Sequence, residues 1–149
     1  METTTSIREA LHSYKTFLGV FPADMIPETI PITRRPAGLI ANTGGSDTPG
    51  EHWIAIWLSP ADTRGHDVEY FDPLGLPPLI PTFTNLLDRI AMRGWIYNPI
   101  TLQCIDGINC GTFCIAFIKA RSSGLTLNEF IRSFNVKRSL NDRILNEFI

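Results

Sequence analysis

Several things are scarce in this chain, and each scarcity removes a class of protein. Among 149 residues there are three cysteines, an odd and small number. That does not build a disulfide framework and fits free thiols in a reducing compartment. No apolar run approaches the ~20 residues needed to cross a bilayer. Met1-Glu2-Thr3-Thr4-Thr5 has neither the basic nor the apolar region of a secretory signal, so we expect a protein that is not secreted and has no membrane partner. A strong charge of one sign is also missing: the net charge is −2, which gives no chain-wide attraction to nucleic acid. Internal repeats and low-complexity tracts are absent. Cys110 and Cys114 lie at i, i+4, but with three histidines in the chain and no second Cys or His pair at ligand spacing, a four-ligand zinc site is not expected.

What is present reads as one folded domain over residues 1–149, with 44% hydrophobic and 19% charged residues. Its charge is uneven. From Lys119 to Arg143 there are six basic residues against two acidic ones. This fits a solvated face of C-terminal helices; a weak DNA-binding face is the sharper alternative.

The pattern of elements is helix, sheet, helices. Ser6-Ile7-Arg8-Glu9 reads as a capping box opening a short N-terminal helix. Prolines at 22, 27, 31 and 36 make residues 19–38 an extended surface arm, with neither helix nor central strand. Strands follow over 37–43, 52–58 and 67–72, the last two as an antiparallel hairpin around Asp62-Thr63-Arg64-Gly65. Phe83, Leu86, Leu87, Ile90 and Ala91 mark an amphipathic helix that ends at Gly94. A broken or edge strand runs from Trp95 to Leu102 across Pro99. Cys110 to Arg121 is apolar nearly all round, a central buried helix. Thr126-Leu127-Asn128-Glu129 and Ser139-Leu140-Asn141-Asp142 read as capping boxes opening two more helices. The fold class is α+β, with a small mixed, mainly antiparallel sheet packed by helices.

The chemistry centres on Asn109-Cys110-Gly111, where a polar turn enters that apolar helix. A cysteine in the first turn of a helix feels the positive end of its dipole, which favours thiolate. A cysteine there also serves as a small core residue, but Gly111 weakens the helix with no packing gain, which suggests that space is needed. Cys114, one turn on, reads as buried and inert; Cys104 has no assigned role. His12 and His66 read as exposed, whereas His52 stands at the mouth of a strand after a Gly/Pro loop, where side chains reach clefts. A satisfied strand-end histidine is the plainer reading. The hairpin brings His52 near Asp72, because the first residue of one strand lies opposite the last of its partner. Asp72 either serves the Asp-Pro turn or holds the imidazole. Gln103 could donate its amide to an oxyanion beside the N–H of Cys110.

Jointly these residues resemble the adenovirus protease (adenain) family of cysteine peptidases, in the wider group that includes SUMO- and ubiquitin-like-protein proteases. The resemblance rests on Phe17-Leu18-Gly19, Ile40-Ala41-Asn42-Thr43-Gly44-Gly45, Pro49-Gly50-Glu51-His52-Trp53, Tyr70-Phe71-Asp72-Pro73-Leu74-Gly75 and Asn109-Cys110-Gly111-Thr112-Phe113-Cys114. The wording is closer to adenain-like proteases of adenovirus-related viruses and large virus-like transposons. The resemblance implies Cys110 as nucleophile, His52 as base, Asp72 as its partner and Gln103 as oxyanion donor. It also implies cleavage beside Gly or small residues, in a cleft shaped by Trp53, Trp57 and the loop from Gly44 and Gly45 to Gly50. The implied partners are viral precursor proteins and the implied setting is the virion and infected cell, in nucleus or cytoplasm. The expected state is a monomer. Two alternatives stand beside this: a protease of host ubiquitin-like modifiers, and a non-catalytic nucleic-acid-binding or structural protein on the same scaffold. The chemistry requires no cofactor. Adenovirus proteases take an activating viral peptide, disulfide-linked to a cysteine outside the nucleophile motif. No cysteine here stands clearly at that position, so activation by a peptide, or by DNA, is not the expectation.

Overall fold

The computed structural model describes residues 2–44, 52–103, 108–135 and 137–149. A five-stranded sheet in the order β1-β2-β3-β4-β5 separates two sets of helices. The strands are β1 (Phe17–Pro22), β2 (Ala37–Asn42), β3 (Trp53–Leu58), β4 (Val68–Phe71) and β5 (Trp95–Tyr97). The helices are α1 (Thr4–Leu11), α2 (Pro81–Ile90), α3 (Cys110–Ser122), α4 (Leu127–Arg132) and α5 (Asn141–Leu145). The β2–β3 and β3–β4 pairings at the centre are antiparallel, and the β1–β2 and β4–β5 pairings at the edges are parallel.

Strands β2 and β3 are buried along their whole length because both faces are covered. Alternation divides their side chains. Ile40, Trp53, Ala55, Trp57 and Phe71 pack with α3, whereas Leu39, Ala41, Ile54, Ile56 and Tyr70 pack with α2. Helix α3 is apolar all round and fills the larger core. Its Phe117 stacks on Phe71 with centroids 4.6 Å apart, and Phe130 of α4 meets both edge-on. Gly38 of β2 has no room for a side chain: a Cβ would lie 2.5 Å from Ile118 and 2.8 Å from the Trp57 ring.

Two buried ion pairs pin the sheet. Arg35 binds Asp67 at 2.7 Å, and Asp67 also accepts the main-chain N–H groups of Met92 and Arg93, tying the entry of β4 to the turn before β5. Arg121 forks onto both Glu69 oxygens at 3.0 and 3.1 Å while stacked over Trp57.

The structure shifts three boundaries. Helix α1 starts at Thr4, capped by Thr3 with Ser6 answering as the third residue, one turn before the expected box at Ser6. Residues 17–22 are an edge strand, and the prolines shape two short 3-10 turns, 23–25 and 32–34, in the crossover to β2. Thr126 and Glu129 form their capping box, but Ser139 does not cap α5. Asn141 is buried instead, donating to the carbonyls of Leu102 and Asn135.

Candidate active site

The site forms where β3 begins, β4 ends and α3 begins. The register pairs Ala55 with Phe71, so the residues just outside the ladder, His52 and Asp72, lie within side-chain reach. His52 Nε2 is 2.7 Å from Asp72 Oδ1, with the imidazole 19% exposed and the carboxylate 5%. The other imidazole nitrogen is left for Cys110, which is close enough to His52 for each group to shift the other.

Cys110 is the first residue of α3 and half-buried. Burial pushes its thiol up. That is outweighed by the hydrogen bond to His52 and by the main-chain N–H groups of Trp53 and Gly111, and the thiol ends below the ordinary range. His52 moves the other way. Burial pushes its imidazolium down, but Asp72 and then Cys110 hold the proton, and the net value is pushed up to about 9. The opposite shifts favour the thiolate–imidazolium form of the pair over its neutral form. Cys114, one turn on, is fully buried and its thiol is pushed well up, so it stays protonated.

Asp72 is oriented by a residue that sequence reading missed. Buried Asn98 accepts the Asp72 N–H at 2.9 Å and donates to the Asp72 carbonyl at 3.0 Å and to that of Ile100. The available signal was an Asn-Pro pair at the end of a broken edge strand. The turn beyond Asp72 closes with the Gly75 N–H on the Asp72 carbonyl. Gly75 has φ +74°, and a Cβ there would fall 2.7 Å from the Ile100 carbonyl carbon. Only glycine fits both the backbone angle and the contact.

Gln103 is buried on the strand-like segment beside that turn. Its N–H and that of Leu102 both reach the Pro73 carbonyl, at 3.1 and 2.8 Å. Residues 104–107, including Cys104, lie outside the described residues, as does Gly45 with the rest of the loop 45–51. Gly44 donates its N–H to Asn42 Oδ1. Trp53 borders the nucleophile turn and is 9% exposed. Trp57 does not shape a cleft: it is 2% exposed, farther along β3, and packed under Arg121. The sheet is covered on that side by α3, which buries every residue of the stripe to which Trp57 belongs. His12 and His66 are exposed and apart from the site. Among the described residues no group of three or more His, Cys, Asp or Glu could hold a metal ion, and no helix is long and apolar enough to cross a membrane.

A cysteine at the head of the central helix, with a histidine backed by a carboxylate on a mixed sheet, is the arrangement found in cysteine peptidases. Comparison with known proteins leads to the same group. The chain is related to adenovirus proteases: it is 31% identical to that of an ovine adenovirus over 121 residues, covering 73% of this chain and 58% of the relative. It is 32% identical to the protease of bovine adenovirus 7 over 91 residues, covering 53% and 44%. A cysteine protease of African swine fever virus is 28% identical over 104 residues, covering 63% of this chain and 37% of the relative. The crystal structure of the African swine fever virus protease shares the fold at a TM-score of 0.50 and 22% identity, covering 73% of this chain and 42% of that one. The chain spans about half the length of the curated relatives it matches. No protein-family model matches it.

Proposed function

We propose that the chain is a cysteine endopeptidase of the adenain type with Cys110 as nucleophile. The observation that carries this is the convergence of the β3 entry, the β4 exit and the head of α3, with His52 2.7 Å from Asp72 and Cys110 the first residue of α3. Asp72 fixes the ring and stabilises its charged form. The Cys110 thiolate attacks the scissile carbonyl, and the oxyanion is met by the N–H at the head of α3 and by the Gln103 amide. The imidazolium of His52 protonates the leaving amine. Water, deprotonated by the now neutral imidazole, then releases the acyl group from the thioester. Among donors to the oxyanion, Gln103 is assigned by resemblance.

The substrates on this reading are viral precursor proteins cut beside glycine or another small residue, in the infected cell or the assembling virion. On this reading the protein acts as a monomer, and the chemistry calls for no cofactor and no peptide or DNA activator. The test is hydrolysis of Gly-containing peptides by the wild type and by Cys110→Ala. Cleavage lost in the variant supports the assignment; equal rates in both remove it.

A second reading has support in three relatives from African swine fever virus isolates named SUMO-1 cysteine protease, one of them 26% identical over 113 residues. On that reading the same site would act on ubiquitin-like modifiers. A ubiquitin-like vinyl sulfone separates the two: an adduct at Cys110 favours the modifier, and its absence with intact peptide cleavage favours the precursor proteins.

A further inference from the structure

The bare α-carbon of Gly111 is not facing open space. A Cβ there would lie 2.5 and 2.9 Å from Cβ and Cγ of Glu2, and 3.0 Å from Cδ1 of Trp53. The segment entering α1 thus passes directly over the first turn of the nucleophile helix, and glycine lets it approach. Glu2 then bonds three ways. Its Oε2 accepts the Thr112 hydroxyl at 3.0 Å, its Oε1 accepts the Ser6 hydroxyl at 2.6 Å, and its main-chain carbonyl accepts the Trp53 indole N–H at 3.3 Å.

The two residues it covers have a specific importance. The main-chain N–H groups of Trp53 and Gly111 are among those that bring the Cys110 thiol down. Trp53 also follows His52 directly, so one residue touches both the strand that carries the imidazole and the helix that carries the thiol. Helix α3 has no help of its own at this end. Its N-cap, Asn109, makes no side-chain cap and bonds Asp142 instead, and its first turn contains no acidic residue. A carboxylate held on the third residue of the helix supplies that favourable charge from outside.

We propose that Glu2 is a positioning residue for the nucleophile, pinning Trp53 to the first turn of α3 so that the two N–H donors and His52 converge on the Cys110 sulfur. The proposal rests on the cysteine-peptidase reading, and it adds an element of that site outside the His, Asp, Gln and Cys set. The groups facing Cys110 are His52, with Asp72 behind it, and Cys114 within α3, and none of them is changed by altering Glu2.

The test compares wild type, Glu2→Ala, Glu2→Gln and Thr112→Val in two measurements. One is iodoacetamide labelling of Cys110 across pH, read by mass spectrometry. The other is kcat and KM on a Gly-containing peptide, with thermal unfolding as the check on fold. Glu2→Ala should label Cys110 only at higher pH and lose about tenfold or more in kcat, with KM changed far less, since small misplacement of reacting groups acts on the chemical step. Glu2→Gln keeps an acceptor and the carbonyl, and should stay within about threefold of wild type. Thr112→Val removes only the tie to α3 and should shift labelling in the same direction by less. A folded Glu2→Ala with wild-type labelling and kcat overturns the proposal. Should Glu2→Ala fail to fold, an unshifted Thr112→Val overturns it. Labelling needs no substrate, so the two ideas fail separately. Acidic labelling without cleavage of any peptide counts against the peptidase alone, while normal cleavage by Glu2→Ala counts against the positioning role alone.

Discussion

At the scale of single residues, Cys110 and His52 hold each other in the charged forms. The thiol lies below its ordinary value and the imidazole is pushed up to about 9, so their two apparent values belong to the pair. Activity should therefore rise as pH passes the lowered thiol value and fall as the imidazolium loses its proton near 9. A pH–rate profile checks this, and a basic limb near the ordinary 6.5 of histidine would contradict it. The stability linkage has the same sign. His52 binds its proton more tightly when folded, so its contribution is complete below 6.5 and is lost as pH rises through about 9. Replacing Asp72 with Asn keeps the shape but removes the charge behind the ring. We expect a loss of roughly a hundredfold or more in kcat with an intact fold, measured by single-turnover hydrolysis and circular dichroism.

At the scale of elements, buried charge pairs and close contacts hold the strands and turns that carry the site. Asp67 is fully buried, and although burial pushes its carboxyl up, the N–H groups of Met92 and Arg93 and the Arg35 guanidinium bring it below its usual value. That contribution is present above about 3.8 and is lost as pH falls through the lowered folded value. Asp67→Asn leaves Arg35 buried without its counter-charge and should destabilise the fold by about 3–5 kcal/mol at pH 7 in urea titration. The gap should narrow toward acid, where wild-type Asp67 is itself protonated. Gly75→Val should act more locally. It forces a side chain into the left-handed region and into the backbone of Ile100, pushing the 100–103 segment and Gln103 away from the Asp72 turn. A loss of about 1–3 kcal/mol from backbone strain is expected, with a larger fall in activity than that alone produces. Hydrolysis rate and urea midpoint measured on one preparation separate the two effects.

At the scale of the whole molecule, one sheet is shared by two apolar layers, and the site sits at the end where the central strands and α3 meet. Phe117→Ala opens the α3 side and Leu87→Ala the α2 side. Both residues are fully buried. Losses of about 3–5 and 2–5 kcal/mol are expected. Because β2 and β3 contribute to both layers, each variant should shift a single cooperative transition seen identically by far-UV and tryptophan signals. Two separate transitions would mean that the layers fold independently.

The sequence alone determined much of this protein through local rules. Apolar periodicity marked α2, a stretch apolar nearly all round marked α3, alternation and turn residues marked the β3–β4 hairpin, and strand pairing brought His52 toward Asp72. Each of these signals is local, the longest spanning the 20 residues from His52 to Asp72. The structure alone decided what depends on distant segments meeting. Asn98 under Asp72, Arg35 on Asp67, Arg121 over Trp57 and Glu2 on Thr112 join positions 26 to 110 residues apart. No periodicity or cap carries that information, and Trp57 shows the consequence. It has the same alternation in β3 as Trp53 and both are buried in the α3-side core, yet Trp53 lies against the nucleophile turn and Trp57 under Arg121. The helix laid across the sheet, and not the strand's own sequence, determines which end of the stripe meets the nucleophile.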